Sequence, residues 1–162
     1  MVGCTLVGCT SRGPQRPSQR KSQAPQPDST QLSLLELNQQ LTQTADEQLA
    51  RFAREAEDSY ALYERGTWAF IRKQGSGEAV QHGEICNVKM RIYSLSGRMY
   101  MDCEQSAQIG RNELIEAIDE NITEWRHGAE IILLAPWYAA FGIKGTEHIP
   151  PYENVRIELT IQ

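Results

Sequence analysis

The first residues suited to chemistry are the cysteines and histidines. Cys86 and Cys103 fall on neighbouring strands of a predicted hairpin. In an exported protein, an oxidising environment could join them in a disulfide. Cross-strand geometry is often wrong for such a bridge, so the pairing stays open. The three histidines, His82, His127 and His148, follow no ligand spacing. The sequence therefore predicts no metal site and no cofactor.

The second candidate is an apolar loop, AAFGIKGTEHIPP, at residues 139–151. It precedes a run in which apolar and polar residues alternate from Val155 to Gln162, the period of a half-buried strand. If that strand pairs inside a sheet, it fixes the end of the loop. A loop that is held rigidly in this way suits a binding site.

The third candidate is Cys9, which closes the sequence Leu6-Val7-Gly8-Cys9 and has the form of a lipobox. In a lipobox, small residues before the cysteine let a signal peptidase cut, and the thiol becomes acylated. The residues before Cys9 supply neither a full basic start nor a full apolar stretch. Either the natural start lies further upstream or the match is chance. We favour the first alternative, with residues 1–9 as a partial lipoprotein signal and Cys9 as the lipidation site.

The distribution of charge bears on the partners of the chain. The formal net charge is −5, from 16 bases and 21 acids. Four of the bases precede every acid, so residues 22–162 carry 12 bases against 21 acids, a balance of −9. This balance argues against nucleic acid as a partner of the folded part. No stretch reaches the roughly 18 apolar residues of a membrane helix.

The N-terminal part divides into a tether and a helix. Residues 10–30 are rich in proline, glutamine, serine and arginine, and they cannot bury enough surface to offset their ordering entropy. In residues 31–65, apolar side chains recur three or four apart from Leu34 to Tyr60, which predicts an amphipathic helix that ends at Gly66. Its apolar stripe needs a cover, either the following domain or a second copy in a homodimer.

From residue 67 the pattern changes to strands, with one helix among them. The helix is predicted in GRNELIEAIDENITEWRHG, closing at His127-Gly128. Strands are predicted in TWAFIRKQ, EICNVKMRIYS, GRMYMDCEQ, AEIILLAP and VRIELTIQ. The almost wholly apolar AEIILLAP belongs in the centre of the sheet. The order predicts an α+β fold, an antiparallel sheet wrapped around one short helix.

The C-terminal stretch also carries a resemblance to a known family. It resembles the last third of FKBP-type peptidyl-prolyl cis-trans isomerases, through Gly128, Pro136, Ala140-Phe141-Gly142, Gly145, Ile149-Pro150-Pro151 and Glu158-Leu159. Upstream, GSGEAVQHGE and SGRMYMD match the family's second strand and following turn, so the resemblance covers roughly residues 68–162. The helix and YERGTWAFI are similar to a lipoprotein branch associated with gliding motility in Bacteroidetes.

The resemblance implies an FKBP-like isomerase domain at residues 67–162. It implies a lipid-anchored enzyme that assists the folding of exported, proline-containing polypeptides, on the outer membrane and facing the periplasm. The alternative is a binding or chaperone module with little turnover.

The resemblance also implies the site residues. The catalytic set would be Tyr100, Asp102, Phe141 and Ile149, with the backbone N–H of Ile149 donating to the substrate. The substrate-binding set would be Met90, Leu114, Ile115, Ile118 and Ile157.

Several of these positions depart from the family's pattern. Ile118 takes the position of the family's tryptophan at the pocket floor. Met90 takes the position of a tyrosine, and Ile157 that of a phenylalanine. Phe141 takes the position of a tyrosine and lacks its hydroxyl. Met101 separates Tyr100 from Asp102. Met90, Ile118 and Ile157 could equally be plain core, and turnover is expected to be reduced.

Overall fold

The computed structural model describes residues 29–162, and the side chains from Ser33 onward. The predicted lipobox at Cys9 and the predicted tether lie outside the described residues. Short 3-10 turns occupy Glu64–Gly66, Ile122–Glu124 and Trp137–Ala139. The helices and strands are α1 (Ser29–Glu55), β1 (Ala61–Leu62), β2 (Trp68–Lys73), β3 (Ile85–Ser94), β4 (Met99–Gln108), α2 (Glu116–Asp119), β5 (Glu130–Ala135) and β6 (Val155–Ile161).

The strands form one antiparallel sheet in the order β1-β2-β5-β6-β3-β4. The apolar strand β5 lies inside the sheet, as its sequence predicts. Strand β6 pairs with β5 on one side and with β3 on the other. The alternation after residue 154 therefore marks a strand that is fixed on both edges, and it anchors the end of the preceding loop.

The N-terminal helix is shorter than predicted, because it ends at Glu55 and not near Gly66. Ala61 and Leu62 instead pair with Ala69 and Trp68 in β2. The turn between the two strands needs left-handed backbone at Arg65 and at Gly66, whose φ is 67°. The gain from pairing with the sheet thus overrides the helical pattern of the sequence.

The central helix α2 is also shorter than its apolar pattern predicts, at four residues. Two polar side chains bind the backbone around it. Asp119 accepts hydrogen bonds from the N–H groups of Gly110 (3.0 Å) and Asn112 (3.1 Å), and Asn121 donates to the carbonyl of Ala117 (2.9 Å). Such bonds compete with helix continuation. The apolar residues of this segment remain buried in one core with the inner face of the sheet.

Helix α1 covers the outer face of the sheet with its second half only. Leu49 and Ala53 pack with Leu134 of β5 in a separate apolar cluster. The domain that follows α1 therefore covers part of the apolar stripe that was predicted on this helix. In the first half of α1, Leu34 and Leu37 are exposed by 56% and 51%. The predicted fold class, an antiparallel sheet around a short helix with a preceding long helix, is confirmed.

Within residues 29–162, no helix has the length and apolar character that crossing a membrane requires.

Candidate functional site

Eight of the nine predicted pocket residues belong to, or pack against, the apolar core on the inner face of the sheet. Five belong to the buried core, and three are half-buried and pack against it. The buried members are Met90, Leu114, Ile118, Ile149 and Ile157, and the half-buried members are Tyr100, Ile115 and Phe141. The fold thus assembles residues from three strands, from the short helix and the segment before it, and from the long loop before β6.

Burial divides these residues into a floor and a rim. Met90, Ile118 and Ile157 expose 3%, 0% and 0% of their surface, so they are core residues that support the site from below. The half-buried Tyr100, Ile115 and Phe141 form the rim, together with the half-buried Met101. The surface that the rim presents is therefore apolar and aromatic, and its chemistry suits an apolar ring or chain.

Tyr100 reaches the rim because of an irregularity in β4. The register between β3 and β4 shifts so that Tyr93 pairs with Met99 and Ile92 with Met101, which leaves Tyr100 without a partner. Its hydroxyl donates to Glu153 at 2.9 Å. Burial, and then this hydrogen bond, raise the pKa of the Tyr100 hydroxyl, so the group is a neutral donor at physiological pH.

Asp102 lies on the other side of the sheet, and its prediction as a site residue needs correction. It pairs with Arg91, whereas its neighbour Met101 pairs with Ile92 of the inner face. Successive side chains of a strand point to opposite faces, so Met101 takes the inward position. The Asp102 carboxylate lies 3.5 Å from the Arg91 guanidinium, and both side chains are 47% exposed. Met101, the residue inserted between Tyr100 and Asp102, is the reason that Asp102 lies on the outer face.

The loop that carries Phe141 is held by backbone and side-chain hydrogen bonds. The N–H of Gly142 donates to the carbonyl of Trp137 (2.7 Å), and the N–H of Tyr152 donates to the carbonyl of Gly142 (3.2 Å). The N–H of Trp137 in turn donates to the side-chain oxygen of buried Asn154 at 2.9 Å. Phe141 therefore sits on a segment that is fixed at both ends.

Ile149 is placed differently from its predicted role. Its side chain is fully buried. Its N–H donates to the hydroxyl of Thr146 at 3.1 Å, and its carbonyl accepts from the N–H of Thr146 at 2.8 Å. The donor that the resemblance assigns to a substrate carbonyl is thus already satisfied within the loop. A substrate would have to displace the Thr146 hydroxyl to use it.

Helix α1 supports the same loop from outside, which the sequence did not indicate. The Tyr138 hydroxyl donates to Asp46 at 2.5 Å, and the Asn154 amide donates to Gln48 at 3.0 Å. Trp137 is also buried, so Trp137 and Tyr138 pack beneath the loop and do not form an exposed patch. These pairs are 92 and 106 residues apart, and no local pattern connects them.

The two described cysteines are free thiols. Cys86 pairs across the hairpin with Ala107, and Cys103 pairs with Met90, so they are not opposite each other. Burial, followed by the charge of Glu84, raises the pKa of the Cys86 thiol, and burial also raises that of Cys103. Neither thiol is poised as a nucleophile, because reactive cysteines need a lowered pKa.

Comparison with known proteins shows the fold. No family model matches the chain, and no curated protein matches it. The chain is similar to solved structures of several peptidyl-prolyl isomerases and related proteins. For the isomerase of Pseudomonas syringae pv. tomato, the TM-score is 0.61 at 17% identity, over 74% of this chain and 92% of that one. For FkpA of Escherichia coli, it is 0.63 at 18% identity, over 82% and 63%.

A plant protein gives the same result. The N-terminal domain of FKBP42 from Arabidopsis thaliana has a TM-score of 0.58 at 16% identity, over 66% of this chain and 92% of that domain. At these identities the likeness concerns the backbone, and the chain has the FKBP fold.

Proposed function

We propose that this protein is a peptidyl-prolyl cis-trans isomerase of FKBP type with reduced turnover. The observation that carries the proposal is the apolar rim of Tyr100, Ile115 and Phe141, which are half-buried against the core that contains Ile118, on an FKBP fold. The substrate class is a polypeptide segment that contains proline, whose ring fits such an apolar surface.

The reaction asks little of the site beyond this surface. Rotation about an X-Pro bond faces a barrier of about 18 to 20 kcal/mol because resonance keeps the amide planar. The twisted transition state has lost that resonance and part of its polarity, so an apolar, dry surface favours it over the planar amide. Bringing a step of tens of seconds to milliseconds requires roughly 10⁴-fold acceleration, or about 5 to 6 kcal/mol.

A second function, a binding or chaperone module, is favoured by three particular observations. Asp102 pairs with Arg91 on the outer face, the Ile149 N–H is bound to Thr146, and the position of the floor tryptophan holds Ile118. Each change leaves the apolar rim intact and removes a polar or aromatic group that could act on the transition state. Such a rim would grip proline-containing or unfolded segments without accelerating their isomerisation.

The test is a protease-free isomerisation assay on short Xaa-Pro peptides with the full chain. We expect acceleration that Phe141→Ala lowers by at least about tenfold, since it removes a rim ring worth more than about 1.4 kcal/mol. Ile143→Ala is the matched control, because Ile143 is exposed on the same loop, and it should leave the rate unchanged. If the folded protein gives no acceleration but binds the peptides, the binding module is the function.

Lipid attachment at Cys9 completes the proposal and would place the domain in the cell envelope, on the outer membrane facing the periplasm. The lipobox sequence is its support. Mass spectrometry of the membrane fraction should find acyl chains on Cys9, and Cys9→Ser should release the protein into the soluble fraction. An unmodified Cys9 in a fully membrane-free protein would contradict the anchor.

A further inference from the structure

Three side chains with metal-binding groups meet at one end of the sheet, away from the apolar rim. They are Glu84 directly before β3, Cys86 within β3, and His127 in the turn before β5. The ligand atoms of the three all lie within 4.8 Å of one another. Glu84 and Cys86 are two residues apart, so an extended chain turns both to the same side.

The imidazole of His127 is oriented as in metal sites. Its Nδ1 lies 2.7 Å from the carbonyl oxygen of Gln162, and its Nε2 lies 2.7 Å from a carboxylate oxygen of Glu84. Histidines that bind metals usually donate one ring N–H to a carbonyl or carboxylate, which fixes the ring and points the other nitrogen at the ion. The Gln162 carbonyl has this position.

The contacts of His127 place a nitrogen and an oxygen donor side by side. Both ring nitrogens face oxygen atoms, and the 2.7 Å separation of Nε2 from the Glu84 carboxylate is that of a hydrogen bond. A metal ion at this position would replace the proton that Nε2 shares with the carboxylate. In the same cluster, the buried Sγ of Cys86 makes only a weak contact, 3.7 Å from the carbonyl of Asn87.

We propose that Glu84, Cys86 and His127 bind a Zn²⁺ ion, with water as the fourth ligand. A sulfur, nitrogen and oxygen donor set suits zinc, whereas Mg²⁺ and Ca²⁺ prefer oxygen ligands alone. On binding, the ion replaces the proton on Sγ of Cys86 and the proton that Nε2 of His127 shares with Glu84, and both protons pass to solvent.

The distances permit this with small movements. Zinc ligands at about 2.0 to 2.3 Å in a tetrahedral site are about 3.3 to 3.6 Å from one another. The 2.7 Å contact must therefore open by about 0.6 to 0.9 Å, and the widest separation, at most 4.8 Å, must close by about 1.2 Å. The side chains of His127 and Glu84 are 31% and 29% exposed, so the ion and the water can enter from solvent.

Such an ion would fasten three elements of the sheet at one end. Glu84 directly precedes β3 and Cys86 lies within it, His127 leads into β5, and Gln162, which contacts His127, follows β6. A ligand that binds only the folded state raises its stability in proportion to the logarithm of its concentration. The site is thus structural, and it is separate from the isomerase proposal.

Cobalt is the probe that reports on the thiolate. Full chain carrying Cys4→Ser and Cys9→Ser, which removes two other thiols, is reduced and titrated with Co²⁺. We expect a one-to-one complex with a sulfur-to-cobalt charge-transfer band and intense visible bands of four-coordination, which Zn²⁺ then abolishes. We also expect Zn²⁺ to raise the melting temperature of the same protein.

Variants separate the site from chance binding. Cys86→Ser should abolish the charge-transfer band, and Cys103→Ser, the matched control, should keep it. His127→Gln and Glu84→Gln should each weaken binding by at least about tenfold, the loss seen even for outer-shell changes. Because Cys86 is buried, Glu84→Gln also serves if the serine variant does not fold. Absence of the band in folded protein, or its persistence in folded Cys86→Ser, would overturn the proposal.

Discussion

Tyr138 connects the candidate site to the N-terminal helix through a single hydrogen bond. Burial, and then the bond to Asp46, raise the pKa of its hydroxyl above the ordinary value of 10.0. The contribution of this bond to stability is therefore complete below pH 10, and it declines as the pH rises above 10 towards the folded-state pKa.

We expect this decline to be visible in the pH dependence of the melting temperature. Between pH 9 and pH 11, a window centred on the ordinary pKa, the melting temperature should fall more steeply for the unmodified chain than for Tyr138→Phe. Tyr152→Phe, which changes an exposed tyrosine on the same loop, is the control and should follow the unmodified chain. Parallel curves for the unmodified chain and Tyr138→Phe would show that the Tyr138 hydroxyl contributes nothing.

Individual site residues could be predicted only where a strand register or a short motif fixed them. The apolar alternation of β3 placed Met90 inward, and the Phe-Gly and Ile-Pro-Pro motifs placed Phe141 and Ile149 on one loop. Asp102 was misplaced because one additional residue in β4 turns a side chain to the opposite face. The Thr146 hydroxyl on the Ile149 N–H was missed because a side-chain bond inside a loop has no periodicity.

At the scale of elements, helix α1 is the part whose role is most easily tested. Leu49 is fully buried between α1 and the sheet. Leu49→Ala should lower the free energy of unfolding by about 2 to 5 kcal/mol, because it leaves a cavity in a packed interface. Leu62→Ala removes the same atoms from an exposed position of β1 and should change it by less than about 0.5 kcal/mol.

Urea unfolding, followed by circular dichroism, measures both variants. Equal effects at the two positions would contradict the docking of the second half of α1. The helix lengths themselves could not be predicted, since the apolar pattern runs on past Glu55 and past Asp119. In both places contacts with residues outside the helix end it, by strand pairing after α1, and around α2 by the bonds that Asp119 accepts from Gly110 and Asn112 and that Asn121 accepts from the N–H of Glu64.

At the scale of the whole molecule, the interior position of β5 could be predicted from the sequence because the strands differ in their apolar patterns. Strand β5 is apolar on both faces and lies inside the sheet, whereas β6 alternates and is covered on one face by the core. The half of α1 that docks could not be inferred, because the apolar stripe is continuous and its cover is a tertiary contact. Leu134 and Trp68 of the outer face supply that cover.

The remaining half of the stripe leads to the last prediction, which concerns assembly. Leu34, Leu35 and Leu37 are exposed by 56%, 55% and 51% on one helix, an apolar surface that a second copy of the same helix would bury. We propose a homodimer through this segment.

Light scattering should then give twice the mass of the 18.3 kDa chain. Leu34→Glu with Leu37→Glu should return it to a monomer without lowering the isomerisation rate, since the hydrogen bonds from α1 to the loop come from Asp46 and Gln48. A monomer at all concentrations of the unmodified chain would contradict the dimer.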